Sequence, residues 1–184
     1  VRDTCQISVD RILWRQQHPD LAATEKSASN FHSVDPAPGH MPGLKDAPPQ
    51  QLGDLLCDAS RSLFDRYTAM FSLRNQNTEE AVLQLCRGFD DKSAVFRHEV
   101  AYVLGQIQHV ASVPALALRL QDLSEHAMVR HEAAEALGSI NDERCAPLLE
   151  AFQDSEKDSI VKESCDVALS IAEYWEDFEA QAQE

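Results

Sequence analysis

An all-α fold built from stacked helical hairpins is what this sequence predicts, and three observations carry that reading. Apolar residues recur every three to four positions from about Gln51 to the end. Polar breaks divide that stretch into short, paired helical segments. The second segments of the pairs align with one another: Arg66-Tyr67-Thr68, Arg97-His98-Glu99, Arg130-His131-Glu132 and Lys162-Glu163-Ser164 share one register at offsets of 31, 33 and 32 residues. Equal hairpins at a fixed period stack into an α-solenoid, and no alternating strand pattern competes.

The elements follow in chain order. Residues 1–14 read as one helix. Val1-Arg-Asp-Thr-Cys5 resembles Val161-Lys-Glu-Ser-Cys165, and each segment runs on to a tryptophan, Trp14 or Trp175. The chain thus opens on the end of one repeat array and closes on the end of another, so the expectation is an upstream array like this one. Opening on Val1 rather than Met agrees with a fragment or a processed product. Residues 15–50 hold six of the eight prolines (Pro19, Pro36, Pro38, Pro42, Pro48 and Pro49) and read as a linker, partly disordered. His18, His32 and His40 in it read as solvent-exposed loop residues. Residues 51–184 form the repeat lobe, with helices expected at 50–57 and 62–75, 78–88 and 93–107, 113–123 and 127–140, and 144–153 and 159–178. Breaks fall at Asn75-Gln-Asn77, Asp90-Asp-Lys-Ser93 and Asn141-Asp-Glu143. Pro114 and Pro147 sit where a first helical turn tolerates proline. Leu73, Leu104, Leu137 and Leu169 recur near one position and read as packing residues. Gly105 and Gly138 read as points of close helix approach or as helix ends. The texture is HEAT-like, without the tetratricopeptide or ankyrin signatures.

Composition narrows the function. With 16 Lys and Arg against 31 Asp and Glu, the net charge is −15. That argues against a nucleic-acid partner, whose phosphates demand clustered cations, and it favours a basic partner; acidity also simply keeps proteins soluble. No apolar run is long enough to span a bilayer, and no leader pattern opens the chain. The cysteines (Cys5, Cys57, Cys86, Cys145 and Cys165) are odd in number and dispersed. They suit reduced thiols in the cytoplasm rather than a disulfide frame or a zinc knuckle.

The chemistry lies in a duplicated segment, Phe96-Arg-His-Glu-Val-Ala-Tyr-Val-Leu-Gly-Gln-Ile107 and Val129-Arg-His-Glu-Ala-Ala-Glu-Ala-Leu-Gly-Ser-Ile140. Adjacent His and Glu on one helix point about 100° apart and cannot chelate together. Second helices of neighbouring hairpins, stacked roughly 8–10 Å apart, can instead bring His98 and His131 together with Glu99 and Glu132 beside them. Two His and a carboxylate with open positions suit iron that activates oxygen. A second array would supply a matching set and so a dinuclear centre suited to iron or manganese. The outer repeats carry Tyr67-Thr68 and Glu163-Ser164 instead, which confines the expected chemistry to the middle hairpins. One turn beyond each His lie Tyr102 and Glu135, candidates to support a ligand or to touch substrate. The bland alternative is a dipole-stabilising Glu in each first helical turn, preserved by duplication. His109, His126 and Met128 read as ordinary loop or core residues.

Several segments resemble deoxyhypusine hydroxylase: Ser33-Val-Asp-Pro-Ala-Pro38, Leu63-Phe-Asp-Arg-Tyr-Thr-Ala-Met-Phe-Ser-Leu-Arg74, Phe96-Arg-His-Glu-Val-Ala-Tyr-Val-Leu-Gly-Gln106, Met128-Val-Arg-His-Glu132 and Val161-Lys-Glu-Ser-Cys-Asp-Val-Ala-Leu169. That resemblance implies a two-lobed HEAT-like enzyme of eight hairpins, cytoplasmic with the nucleus as a second location. It implies two irons per complete enzyme, held by four His-Glu motifs, and molecular oxygen as co-substrate. The implied substrate is translation initiation factor five-A carrying deoxyhypusine. Carried over by motif, the metal and catalytic residues are His98, Glu99, His131 and Glu132; Glu135 and Tyr102 are substrate-contact candidates from their helical position alone. Only two of the four motifs occur here, so the N-terminal lobe of the same enzyme is the implied partner and this chain alone is expected to be inactive. The rivals are a non-catalytic HEAT-like protein-binding scaffold and a bilin-lyase-like protein of similar Leu-Gly texture. Neither needs both His-Glu pairs.

Overall fold

The structure is a computed structural model. It describes residues 2–24, 34–39, 41, 43, 44, 46–140 and 142–182, with backbone alone at 23, 24, 154, 155 and 175–182. Val1, His32, Ser33, His40, Pro42, Asn141 and the Trp175 side chain, named above, lie outside this description. The fold is all-α and HEAT-like, and the described residues contain no strand. The chain divides into two compact units, Val1–Asp90 and Asp91–Glu184. The boundary falls inside the second expected hairpin.

The first unit holds α1 (Arg2–Gln17), α2 (Pro19–Thr24), α3 (Pro49–Cys57), α4 (Leu63–Gln76) and α5 (Glu79–Cys86), closed by a 3-10 turn at Arg87–Asp90. Ser62 and Thr78 cap α4 and α5 by accepting from the N–H three residues on, of Asp65 and Ala81. Asn77 ends α4 in the left-handed region at φ 47°, which explains the first polar break. Two features depart from the linker expectation. Helix α1 continues to Gln17 and α2 follows it directly. The Pro-rich segment also packs on α4: Arg74, fully buried, bonds the Asp35 carboxylate at 2.9 Å, and Gln76 donates to the Ala47 carbonyl at 2.8 Å. Proline removes donors but leaves carbonyls, and α4 supplies the donors they need. His18, expected to be exposed, is half-buried and stacks on Trp14 at 5.5 Å between ring centroids.

The second unit holds α6 (Ala94–Ile107), a 3-10 turn at Val110–Ser112, α7 (Val113–Gln121), α8 (Ala127–Ile140), α9 (Cys145–Ser155) and α10 (Ser159–Ala182). Helix α8 packs between α6 and α10, with α7 and α9 as the partner helices of the hairpins. The glycines set this spacing. A Cβ on Gly105 would lie 3.2 Å from the Cα and Cβ of Ala136, and one on Gly138 would lie 2.6 Å from the Cβ of Ala168. Leu104 and Leu137 beside them are fully buried. A Gly138→Ala protein gains about 0.5–1 kcal/mol of helix propensity but must force α8 from α10, at about 1–3 kcal/mol. Net destabilisation in urea unfolding is expected, larger than for Gly105→Ala; a Gly138→Ala protein as stable as its parent would refute the close approach.

Both Arg residues of the duplicated segment fasten hairpins. Arg97 bonds Glu125 (Nε to Oε2, 2.7 Å) and the Asp91 carbonyl. Arg130 is bonded to Glu156 and donates Nε to the Leu120 carbonyl at 3.0 Å. Arg66 makes the same bond to the Leu56 carbonyl at 2.8 Å. Sequence reasoning used these arginines only to align repeats.

Candidate metal centre

His98 and His131 are each the fifth residue of their helices, α6 and α8. The helix starts explain this equivalence. Ser93 caps α6 by accepting from the Phe96 N–H, and the His126 ring Nδ1 accepts from the Met128 N–H at 3.1 Å where α8 begins. His109 likewise accepts from the Ala111 N–H at 3.1 Å, so both loop histidines serve as caps. With starts 33 residues apart and helix spacing set by Gly105, the two imidazoles arrive side by side, ring centroids 5.4 Å apart and inclined at 50°.

A carboxylate joins them. Glu132 accepts from His98 Nε2 at 3.0 Å, across from the neighbouring helix. One donor atom from each of His98, His131 and Glu132 falls within 4.8 Å of the others. Donor atoms at metal bond lengths of about 2.1 Å lie within about 4.2 Å of one another, so a modest drawing-in of the side chains would bring these three round one ion. Burial makes the case stronger. Glu132 is only 8% exposed, and a buried carboxylate needs a cation or good hydrogen bonds. The hydrogen bond to Glu132 holds the His98 pKa above the usual imidazole range; burial opposes it, and the charges of Glu132, Glu99 and Glu135 add to it. The surroundings therefore favour positive charge at this point, which a metal ion would carry.

The remaining expected residues take different places. Glu99 is half-buried and stands outside the three-residue cluster. Tyr102 is 41% exposed. Glu135 accepts from His131 Nδ1 at 3.3 Å and from the Ser164 hydroxyl at 3.0 Å. Tyr102, Gln106, Glu135 and Ser139 line a groove of about 270 Å³ that has Glu132 in its wall. Ser164 escapes the sequence pattern because it stands where the inner repeats have Glu, which points away from the outer repeat. Its burial on α10 and its bond to Glu135 bring the outer repeat to the site.

Comparison with known proteins agrees with this architecture. Residues 82–170 match a family model described as HEAT repeats. Deoxyhypusine hydroxylases from Danio rerio and Homo sapiens are each 48% identical over 174 residues, covering 95% of this chain and 55% of the relative. The relative from Candida albicans is 43% identical over 175 residues, 95% of this chain and 54% of its own. This chain is a homologue of deoxyhypusine hydroxylase. The structure of human deoxyhypusine hydroxylase in complex with glycerol superposes at a TM-score of 0.84 and 48% identity, covering 94% of this chain and 57% of the human one. The chain thus spans a little over half the length of the deoxyhypusine hydroxylases it matches. Both His-Glu motifs, Glu135 and Ser164 fall within the HEAT-repeat match.

Proposed function

We propose that this chain is one His-Glu-bearing lobe of a deoxyhypusine hydroxylase, which with its N-terminal lobe hydroxylates the deoxyhypusine side chain of translation initiation factor five-A to form hypusine. The observation that carries this reading is the convergence of His98, His131 and Glu132 from two neighbouring helices. These residues would hold iron, with Glu99 as a further candidate ligand, and a matching set from the other lobe would complete a two-iron centre. Iron held there supplies the activation of molecular oxygen. The chain itself contributes orientation and charge. Glu132, buried, fixes the cross-helix geometry through His98. Tyr102 and Glu135 border the adjoining groove, where an exposed ring and a carboxylate suit the methylenes and ammonium of a long cationic side chain. The −15 net charge suits a basic protein surface.

The need for another lobe has support on α1. In the register shared with α10, the positions Cys165, Ala168 and Ala172 are buried. Their counterparts Cys5, Ser8 and Ile12 are exposed, Ile12 by 57%, with Val9 and Leu13 beside it. An apolar helix face of this kind is suited to a preceding hairpin.

The test is hydroxylation of the deoxyhypusine-bearing factor, with ferrous iron supplied, by the 184-residue chain alone and after addition of the N-terminal lobe. No turnover alone and turnover on reconstitution are expected. Full turnover by this chain alone would overturn the half-site reading, and inactivity of the iron-loaded complete protein would overturn the hydroxylase reading.

A further inference from the structure

The two motif histidines are held in different ways. In both, a residue of the neighbouring helix at the register position of the motif glutamate takes part, directly or through a second side chain. Glu132 on α8 reaches His98 on α6 directly. Ser164 on α10 occupies the corresponding position and reaches His131 through Glu135. One turn beyond His98 the equivalent residue is Tyr102, which offers no carboxylate. His131 therefore has an orienting group on its own helix that His98 lacks.

We propose that Glu135, clamped by Ser164, is a positioning residue that fixes the tautomer of His131, with the proton on Nδ1 and the lone pair on Nε2. A carboxylate only accepts, so the ring nitrogen facing Glu135 carries the hydrogen. One oxygen, Oε1, takes both the His131 Nδ1–H at 3.3 Å and the Ser164 hydroxyl at 3.0 Å, so it is held from two helices. Ser164 is buried and has a defined direction in which to donate. A histidine whose one nitrogen donates to a carboxylate offers the other to a metal, and supports of this kind set ring orientation and ligand basicity. His131 is thus preset by α10, while His98 depends on Glu132, itself a member of the cluster. The outer repeat acts on the centre without contributing a ligand.

The tautomer part of this inference stands on the hydrogen bonds alone, and the metal part rests on the function proposed above. The test keeps them apart. Long-range proton–nitrogen NMR on the metal-free chain with labelled histidine, at about pH 8 where an ordinary imidazole is neutral, reads the tautomer of His131. Titration with cobalt(II) alone, followed by absorbance, reads metal affinity. In the parent chain, Nδ1–H is expected to dominate at His131. Glu135→Ala is expected to abolish that dominance and to weaken cobalt binding about 10- to 100-fold. Glu135→Gln keeps an accepting oxygen and is expected to preserve the tautomer. Ser164→Ala leaves the site folded and is expected to give a mixed population. A parent His131 protonated on Nε2, or an unchanged tautomer in Glu135→Ala, overturns the proposal. A parent chain that shows the Nδ1–H tautomer but takes up no cobalt leaves the positioning role standing and counts against the metal reading instead.

Discussion

Replacing His131 by alanine in the complete two-lobed protein is expected to release the iron on this lobe and to abolish hydroxylation, while the fold remains. The loss of metal affinity should exceed the roughly 10- to 100-fold that follows removal of an outer support, because one of the three converging donors disappears. The side chain is half-buried and its partner, Glu135, lies near the surface, so unfolding free energy should fall by only about 1 kcal/mol. His98→Ala should lose iron equally but destabilise more. It strips the buried Glu132 carboxylate of the imidazole at 3.0 Å, at about 1–3 kcal/mol. Iron analysis together with urea unfolding of both variants separates ligand loss from structural damage. An unaltered iron content in either would contradict the assignment.

The largest effect on stability is expected from Arg130→Ala. Its side chain and that of Glu156 are each 5% exposed, and the same guanidinium donates to the Leu120 carbonyl at the end of α7. Removing one member of a buried ion pair leaves the other charge uncompensated, at about 3–5 kcal/mol. In a chain of this length that corresponds to a fall of roughly 6–20 °C in Tm. Arg97→Ala should cost less, because its guanidinium is 15% exposed. Acid offers a second check. Burial pushes the Glu156 carboxyl up, but the hydrogen bond from Arg130, the N–H groups of Asp158 and Lys157 and the Arg130 charge outweigh it and hold it below the usual range. A depressed folded pKa contributes stability that is present above the unfolded value, about 4.3, and is lost as pH falls through the folded value. The gap in stability between parent and Arg130→Ala should therefore narrow below about pH 4. A gap that stays constant through that range would show that the pair contributes nothing through charge.

Much of this was legible in the sequence because it depends on period. Helix bounds in the repeat region lie close to the expected ones; α6, for example, covers Ala94–Ile107 against an expected 93–107. The placing of His98 and His131 together also followed from register, since equal repeats put equal positions on one ridge. What periodicity could not show is where single side chains find partners across space. The docking of the Pro-rich segment depends on Asp35 meeting Arg74, 39 residues away. The carboxylate bonded to His98 Nε2 comes from the next repeat, Glu132, a pairing across helices that periodicity does not specify. Ser164 is invisible in the sequence because a serine in place of glutamate reads as loss of the motif, whereas its hydroxyl reaches Glu135 on the neighbouring helix.

The claim on which the rest depends is that imidazoles from α6 and α8 and the buried carboxylate between them share one metal ion. Anomalous diffraction at the iron edge from crystals of the iron-loaded complete protein tests it most directly. A peak is predicted within bonding distance of His98, His131 and Glu132 together. Iron bound elsewhere, with His98 still bonded only to Glu132, would contradict it.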